Sequence, residues 1–151
     1  MSGGLDVIIV DDDPNVCELL SEIITRFYTW GEVFVFTSID EAVEYCHLRT
    51  SGIAIFVIDV FLNEKTGFMF LDMIAQRYPS APDDTIMITG DANDDVVNTC
   101  VATGVNHLLE KPIRPFALQL AVRAIMAKYL NFTKKLIEDP SFLQQCSRLI
   151  G

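Results

Sequence analysis

The chain alternates short, continuously apolar runs with longer segments in which apolar residues recur at helical spacing. Each of five apolar runs is followed by such a segment. The predicted strands are LDVIIV at 5–10, EVFVFT at 32–37, IAIFVIDV at 53–60, TIMIT at 85–89 and HLLE at 107–110. The predicted helices are 14–28, 38–49, 67–78, 93–103 and 115–130. Because strands that are apolar throughout are buried on both faces, the pattern predicts a parallel sheet.

Five strand–helix units in succession predict an α/β fold, in which helices cover both faces of a doubly wound, five-stranded parallel sheet. Local signals at the helix ends agree with this prediction. Asp13 is a plausible N-cap directly before Pro14 at the first helical position. Gly104 follows the fourth helix, where a left-handed residue commonly ends a helix.

Beyond residue 130 the sequence predicts a helical extension over 131–151. No proline or glycine interrupts 116–139, so the fifth helix is expected to continue through Leu136 and Ile137. Asp139 then has the position of a cap and Pro140 that of a first helical residue. The last predicted helix contains Phe142, Leu143 and Ile150. It either packs back on the domain or contacts a second copy or an output domain.

The charge of the chain restricts its binding partners. The net charge of −10 argues against nucleic acid, whose phosphates attract basic surfaces. It favours cations or basic protein surfaces. The longest apolar stretch, IAIFVI at 53–58, is too short to cross a bilayer, so no membrane contact is expected. The segment MSGGLD lacks the features of a signal peptide, and we expect a cytoplasmic protein.

The cysteines support the same compartment. Cys17, Cys46, Cys100 and Cys146 are widely spaced, which argues against a zinc site. The first three fall in predicted helices and are interpreted as small buried thiols in a reducing environment.

Polar residues collect where the predicted strands end. Ligands of doubly wound folds bind beyond the carboxyl ends of the strands, so these residues are candidates for one site. They are Asp11, Asp12 and Asp13 after the first strand, Asp59 at the end of the third, Thr89 at the end of the fourth and Lys111 after the fifth. Two carboxylates about 4 Å apart repel by roughly 4 kcal/mol at an effective dielectric near 20. Such acids need a cation, a proton or open water, and among cations Mg²⁺ prefers carboxylate and phosphate oxygens.

Four segments together resemble the receiver domains of two-component response regulators. They are VIIVDDDPN, FVIDVFLNEKTGFMFL, IMITGDA and LLEKPI. The spacings of Asp59, Gly67, Thr89 and Lys111 match as well. The resemblance covers residues 5–130 and implies a flavodoxin-like fold with strand order 2-1-3-4-5.

The resemblance also implies a role for each site residue. Asp59 corresponds to the phosphoacceptor, and Thr89 and Lys111 correspond to the residues that contact the phosphoryl group. Asp12 is expected to bind Mg²⁺ directly and Asp11 mainly through water, with Asp59 and the backbone carbonyl of Phe61 completing the protein ligands. Asp13 is interpreted as a helix cap.

The implied function is a phospho-accepting switch rather than an enzyme. A histidine kinase or a histidine phosphotransfer protein is the expected donor, and slow loss of the phosphoryl group is the only further reaction. The sequence departs from the family at Leu108, where an aromatic switch residue is usual. His107 beside it was considered as a partial substitute, although a surface histidine is the simpler interpretation.

Two other functions were considered. A phosphatase that uses an aspartyl phosphate needs a second acid two residues after the nucleophile, where this chain has Phe61. A flavodoxin-like cofactor binder needs a phosphate-binding loop after the first strand, where three aspartates would repel an anion.

Overall fold

A computed structural model describes residues 4–139, 141, 144 and 145, which form a parallel sheet between two layers of helices. The strands are β1 (Val7–Val10), β2 (Val33–Phe36), β3 (Ile55–Asp59), β4 (Phe61–Leu62), β5 (Lys65–Thr66), β6 (Thr85–Thr89) and β7 (His107–Glu110). The helices are α1 (Pro14–Phe27), α2 (Ile39–Leu48), α3 (Gly67–Ile74), α4 (Asp94–Thr103) and α5 (Pro115–Glu138), with a 3-10 helix at Ala81–Asp84.

The sheet has the order β2-β1-β3-β6-β7, and each neighbouring pair is parallel. This order confirms the predicted fold, because β6 and β7 are the fourth and fifth predicted strands. Residues alternate between the two core layers along each strand. Ile8 and Val10 face the layer of α2, α3 and α4, whereas Val7 and Ile9 face the layer of α1 and α5. All four are fully buried, as expected for a central parallel strand.

Three local features differ from the prediction. The β4–β5 hairpin was not predicted, and its turn places Asn63 at φ 57, a left-handed conformation that asparagine tolerates. The predicted third helix extended to Tyr78 but α3 ends at Ile74. Pro79 disfavours helical geometry at the residue before it, and a turn therefore replaces the last predicted helical residues. The 3-10 helix was also missed.

The predicted caps are confirmed. The side chain of Asp13 accepts a hydrogen bond from the backbone N–H of Asn15 at 2.9 Å, and Pro14 is the first residue of α1. Gly104 ends α4 with φ 82. The buried state of Cys17, Cys46 and Cys100 is confirmed as well, while Cys146 lies outside the described residues.

The fifth helix continues past the sheet as predicted, through Leu136 and Ile137 to Glu138. Its last fully buried residue is Ile125, and beyond it Met126 and Tyr129 are partly buried against the core. Lys128 and Tyr129 both donate hydrogen bonds to the buried carboxylate of Asp84, the last residue of the 3-10 helix before β6.

After α5, the Ser141 N–H donates to Asp139 Oδ1 at 3.1 Å, which is consistent with the predicted cap. Pro140, Phe142, Leu143 and Ile150 of the last predicted helix lie outside the described residues. The domain boundary at residue 130 stays a prediction. No helix in the described part of the chain is long and apolar enough to cross a membrane.

Gly67 is where α3 approaches β3 most closely, and this contact supports a first prediction. A Cβ at Gly67 would lie 2.6 Å from the carbonyl oxygen of Asp59 and 2.8 Å from Ile58 Cγ2. Gly67→Ala should therefore lower the free energy of unfolding by about 1–3 kcal/mol, the usual cost of overpacking a core. Urea denaturation of parent and variant measures the difference.

Gly90→Ala is the matched control, because a Cβ at Gly90 would meet no atom within 4 Å. Its stability should stay within about 0.5 kcal/mol of the parent, as for other exposed substitutions. Equal stability of both variants would show that the α3–β3 contact relaxes without cost.

Candidate functional site

The predicted acidic residues meet at the carboxyl end of the sheet. β1 and β3 are adjacent and pair Val10 with Ile58, so the residues that follow these partners, Asp11 and Asp59, lie side by side. Asp12 is next along the chain from Asp11. Each of the three aspartates offers a carboxylate oxygen, and these three oxygens lie within 4.8 Å of one another. The parallel register thus forms the cluster that the sequence predicted.

Lys111 reaches the acidic cluster from the end of β7, which is an edge strand of the sheet. It follows β7, and its backbone N–H donates to the Thr89 carbonyl at 2.8 Å. Its Nζ lies 2.8 Å from Asp59 Oδ2 and 3.4 Å from Asp11 Oδ2. One ammonium therefore contacts both buried carboxylates, which reduces their mutual repulsion.

Both oxygens of the Asp59 carboxylate are held. Oδ1 accepts the backbone N–H of Phe61 at 3.1 Å, and Oδ2 accepts from Lys111. The residue is only 6% exposed at the end of a buried strand. These contacts fix the orientation of the carboxylate before any ligand arrives.

Asp11 is only partly satisfied. Its Oδ1 accepts the backbone N–H of Asp13 at 2.9 Å, but its buried Oδ2 has no hydrogen bond from any described residue. The contact of this oxygen with Lys111 is ionic and comparatively long. Burial, and to a lesser extent the nearby charge of Asp59, raises the pKa of Asp11 to about 6. An oxygen left in this state is costly and suits an additional positive ligand.

The cluster fits a hard divalent cation. Among the described residues that form it, three carboxylates face one ammonium, so negative charge is in excess. Carboxylate oxygens with open positions for water are the ligands that Mg²⁺ takes in proteins. The side chains of Asp11, Asp12 and Asp59 are brought together as the sequence predicted, and they could hold such an ion. The predicted role of the Phe61 carbonyl stays a prediction.

Thr89 lies fully buried at the end of β6, and its hydroxyl is already engaged. Its Oγ1 donates to the Asp91 carbonyl at 3.2 Å and accepts the Asp91 N–H at 3.1 Å. Because a hydroxyl has a single proton, Thr89 cannot donate to a ligand while it donates to Asp91. The predicted contact with a phosphoryl group thus requires the hydroxyl to give up its bond to the Asp91 carbonyl.

Leu108, at the position where an aromatic residue is usual, and its neighbour His107 lie in different surroundings. Leu108 is partly buried and packs on the core layer of α2, α3 and α4. His107 pairs with Ile86, whereas Thr89 pairs with Glu110 at the other end of the same two strands. Burial and then the charge of Lys128 lower the pKa of His107. His107 is half-buried and lies at the opposite end of this strand pair from Thr89, so its position does not favour a role as substitute for the aromatic residue.

One contact at the rim was not anticipated. The Glu110 carboxylate accepts the backbone N–H of Ala92 at 3.1 Å, which joins the end of β7 to the loop after β6. The sequence signal was a charged residue directly before Lys111. Such a signal is ordinary at the exposed end of a strand, and only the register with Thr89 shows that it reaches this loop.

Comparison with known proteins identifies sequence relatives of this chain. Residues 7–123 match the model of the response regulator receiver domain. The heme response regulator HssR of Staphylococcus saprophyticus is 28% identical over 123 residues, which is 81% of this chain and 51% of that protein. The chain thus spans about half the length of that relative.

Solved structures show the same fold. The BeF3-activated DrrB receiver domain aligns with a TM-score of 0.69 and 22% identity, covering 83% of this chain and 99% of that one. The beryllofluoride-activated NtrC4 receiver domain dimer aligns with a TM-score of 0.69 and 24% identity, covering 82% and 98%.

The raised pKa of Asp11 generates a prediction for the metal-free protein. Since the folded state binds this proton more tightly than the unfolded state, the contribution of Asp11 to stability falls as the pH rises from about 4 to about 6. Asp11→Asn removes the titrating group. The free energy of unfolding of Asp11→Asn minus that of the parent should therefore increase over this range, measured by urea denaturation in a chelator.

Saturating Mg²⁺ is the control, since a cation at the cluster should stabilise the parent above pH 6 and reduce the difference. A difference that is independent of pH in the chelator would show that Asp11 ionises as it does in the unfolded chain.

Proposed function

Because the chain belongs to the response regulator receiver domain family of two-component systems, we propose that it accepts a phosphoryl group on Asp59. A single observation carries the proposal. The Asp59 carboxylate is held between an acidic pair on one strand and a lysine on another, and both of its oxygens are oriented. A nucleophile in such a site needs little further reorganisation, and phosphoryl transfer depends mainly on positioning and charge.

The proposed step is a displacement at phosphorus. An oxygen of the Asp59 carboxylate forms the new P–O bond while the P–N bond of a donor phosphohistidine breaks, and the departing imidazole retains the bonding pair and takes a proton. The product is an acyl phosphate on Asp59. Lys111, already within 2.8 Å of this carboxylate, can redirect its N–H donors to a phosphoryl oxygen. Its charge offsets the negative charge that the transferred group brings.

We propose Mg²⁺ as the cofactor, held by Asp11, Asp12, Asp59 and the Phe61 carbonyl. When bound, the cation would neutralise the acidic cluster and the incoming phosphoryl oxygens together. The unsatisfied Oδ2 of Asp11 supports this assignment, since it is a buried oxygen that lacks a donor among the described residues. Like charge on Asp11, Asp12 and Asp59 would otherwise oppose the approach of an anionic donor.

The phosphoryl group would act as a signal through Thr89. In the structure its hydroxyl proton is directed to Asp91, so donation to the phosphoryl group requires that bond to break. The free energy gained at the new bond would shift the loop after β6 between two conformations that already exchange. The protein is accordingly a stoichiometric acceptor that changes its binding properties, not a turnover enzyme.

Its proposed partners are a histidine kinase or a phosphotransfer protein as donor, and a second copy or an output domain as acceptor of the signal. The α5 helix offers a surface for the latter. Leu130 and Ile137, seven residues apart on one side of α5, are 44% and 78% exposed. Leu120 of the same helix is 72% exposed. Such apolar positions at helical spacing suit contact with another helix.

The proposed function predicts that incubation with acetyl phosphate and Mg²⁺ adds one phosphate that is labile at alkaline pH. Asp59→Asn should remove this modification, because an amide is not a nucleophile here. Asp12→Ala should reduce both Mg²⁺ affinity and the phosphorylation rate, by about 10-fold or more as for other metal-site variants. Intact-protein mass spectrometry measures the modification, and calorimetry measures Mg²⁺ binding.

Stability separates a functional loss from an unfolded variant. The metal-free Asp12→Ala protein should be at least as stable as the parent, because the substitution removes a repelling charge. If phosphate is incorporated equally by the parent and Asp59→Asn, Asp59 is not the acceptor.

Phe61 generates a prediction for the lifetime of the acyl phosphate. Its ring is 53% exposed, two residues after Asp59, and carries no group that could orient an attacking water. We expect the ring to shield the phosphoryl group, so that Phe61→Asn accelerates hydrolysis by about 10-fold, which is less than the roughly 100-fold or more that a positioned acid or base contributes. The measurement is loss of label over time in excess Mg²⁺.

Phe61→Leu is the matched control, because it retains an apolar side chain without an orienting amide. Its hydrolysis rate should remain within a factor of about three of the parent, as for a near-conservative apolar change. Equal rates in Phe61→Asn and the parent would contradict a shielding role.

A further inference from the structure

Glu110 ties the loop after β6 to the neighbouring strand. The loop covers residues 90–93 and connects Thr89 to α4. Glu110 ends β7 directly opposite Thr89, and its carboxylate accepts the Ala92 N–H at 3.1 Å. A carboxylate is a strong acceptor for a backbone N–H. The middle of the loop is therefore bonded to β7 by one side chain.

The other bonds of the loop hold Thr89 in its resting state. Both backbone groups of Asp91 contact the Thr89 hydroxyl, the N–H at 3.1 Å and the carbonyl at 3.2 Å. At its far end the loop is fixed by Asn93, whose side chain caps α4 through the Val96 N–H at 3.0 Å. Ala92 lies between these two anchors. A bond at Ala92 thus opposes displacement of Asp91 from Thr89.

We infer that Glu110 is a positioning residue that holds this loop in the conformation in which the Thr89 hydroxyl is bonded to Asp91, in competition with a phosphoryl group. The inference rests on the proposed function of Asp59. Glu110 acts through Ala92 and Asp91, and it does not itself contact Asp59. Loss of its hydrogen bond should increase the fraction of protein whose Thr89 hydroxyl is available.

Electrostatic attraction does not explain why the Glu110 carboxylate lies beside this loop. The same region carries Asp91, Asp94 and Asp95, so a further carboxylate is repelled rather than attracted by its neighbours. The Ala92 N–H is the donor that offsets this repulsion. A removed charge and a removed hydrogen bond would both favour an anionic ligand at Asp59, so the experiment has to separate them.

Beryllium fluoride with Mg²⁺ is the probe, since it imitates a phosphoryl group without transfer chemistry. Apparent affinity depends on the fraction of protein in the binding-competent conformation. Glu110→Ala should increase the apparent affinity by about three- to tenfold, the range expected for loss of one opposing hydrogen bond. Glu110→Gln keeps an acceptor oxygen without the charge, so its gain in affinity should be clearly smaller than that of Glu110→Ala. Titration followed by amide chemical shifts measures all three proteins.

Two further measurements complete the test. The Ala92 amide should exchange with deuterium faster in Glu110→Ala than in the parent. Glu64→Ala, which removes an exposed carboxylate five residues after Asp59, should leave the affinity unchanged and controls for charge.

Each failure has its own result. If the parent does not bind beryllium fluoride, the proposed function and this inference both fall. If the parent binds but Glu110→Ala gains no affinity, only the inference is overturned. An affinity gain in Glu110→Gln equal to that of Glu110→Ala would assign the effect to charge and also overturn it, as would unchanged exchange of the Ala92 amide.

Discussion

The site depends on keeping two like-charged carboxylates side by side in a buried position. Asp11 and Asp59 are 1% and 6% exposed, and they follow neighbouring strands in register. Solvent can screen neither of them well, so the protein has to supply the opposing charge and donors. Lys111 contacts both carboxylates, and one backbone N–H serves an oxygen of each. The rigid parallel sheet is what prevents the two residues from separating.

This compensation is incomplete, and the repulsion that remains supports the proposed chemistry. Lys111 lies closer to Asp59 than to Asp11, so the second oxygen of Asp11 stays without a hydrogen bond from the described residues. A site satisfied in full by its own side chains would have little to gain from a cation or a phosphoryl group. Binding energy for such ligands is available because folding places the acids together and leaves their repulsion only partly relieved.

The sequence predicted the features that depend on periodicity and strand ends. It missed those that depend on very short elements or on the direction of a side chain. Continuous apolar runs specify a parallel sheet, and a parallel sheet brings Asp11, Asp59 and Lys111 to one edge. The β4–β5 hairpin is only two residues long on each side, below the length at which alternation is recognisable. The partner of Glu110 depends on strand register, and no local pattern encodes which backbone N–H a strand-end carboxylate meets.

The same distinction bears on how the proposed switch would work with leucine in place of an aromatic residue. Leu108 is partly buried against the core and carries no ring that could move between two positions. The resting conformation of the loop is instead defined by hydrogen bonds, two at Thr89 and one at Ala92. A hydrogen bond contributes little net free energy and can be replaced by another, whereas moving a large ring requires repacking. A conformational equilibrium built on such bonds can respond to one new acceptor at Asp59 without rearrangement of the core.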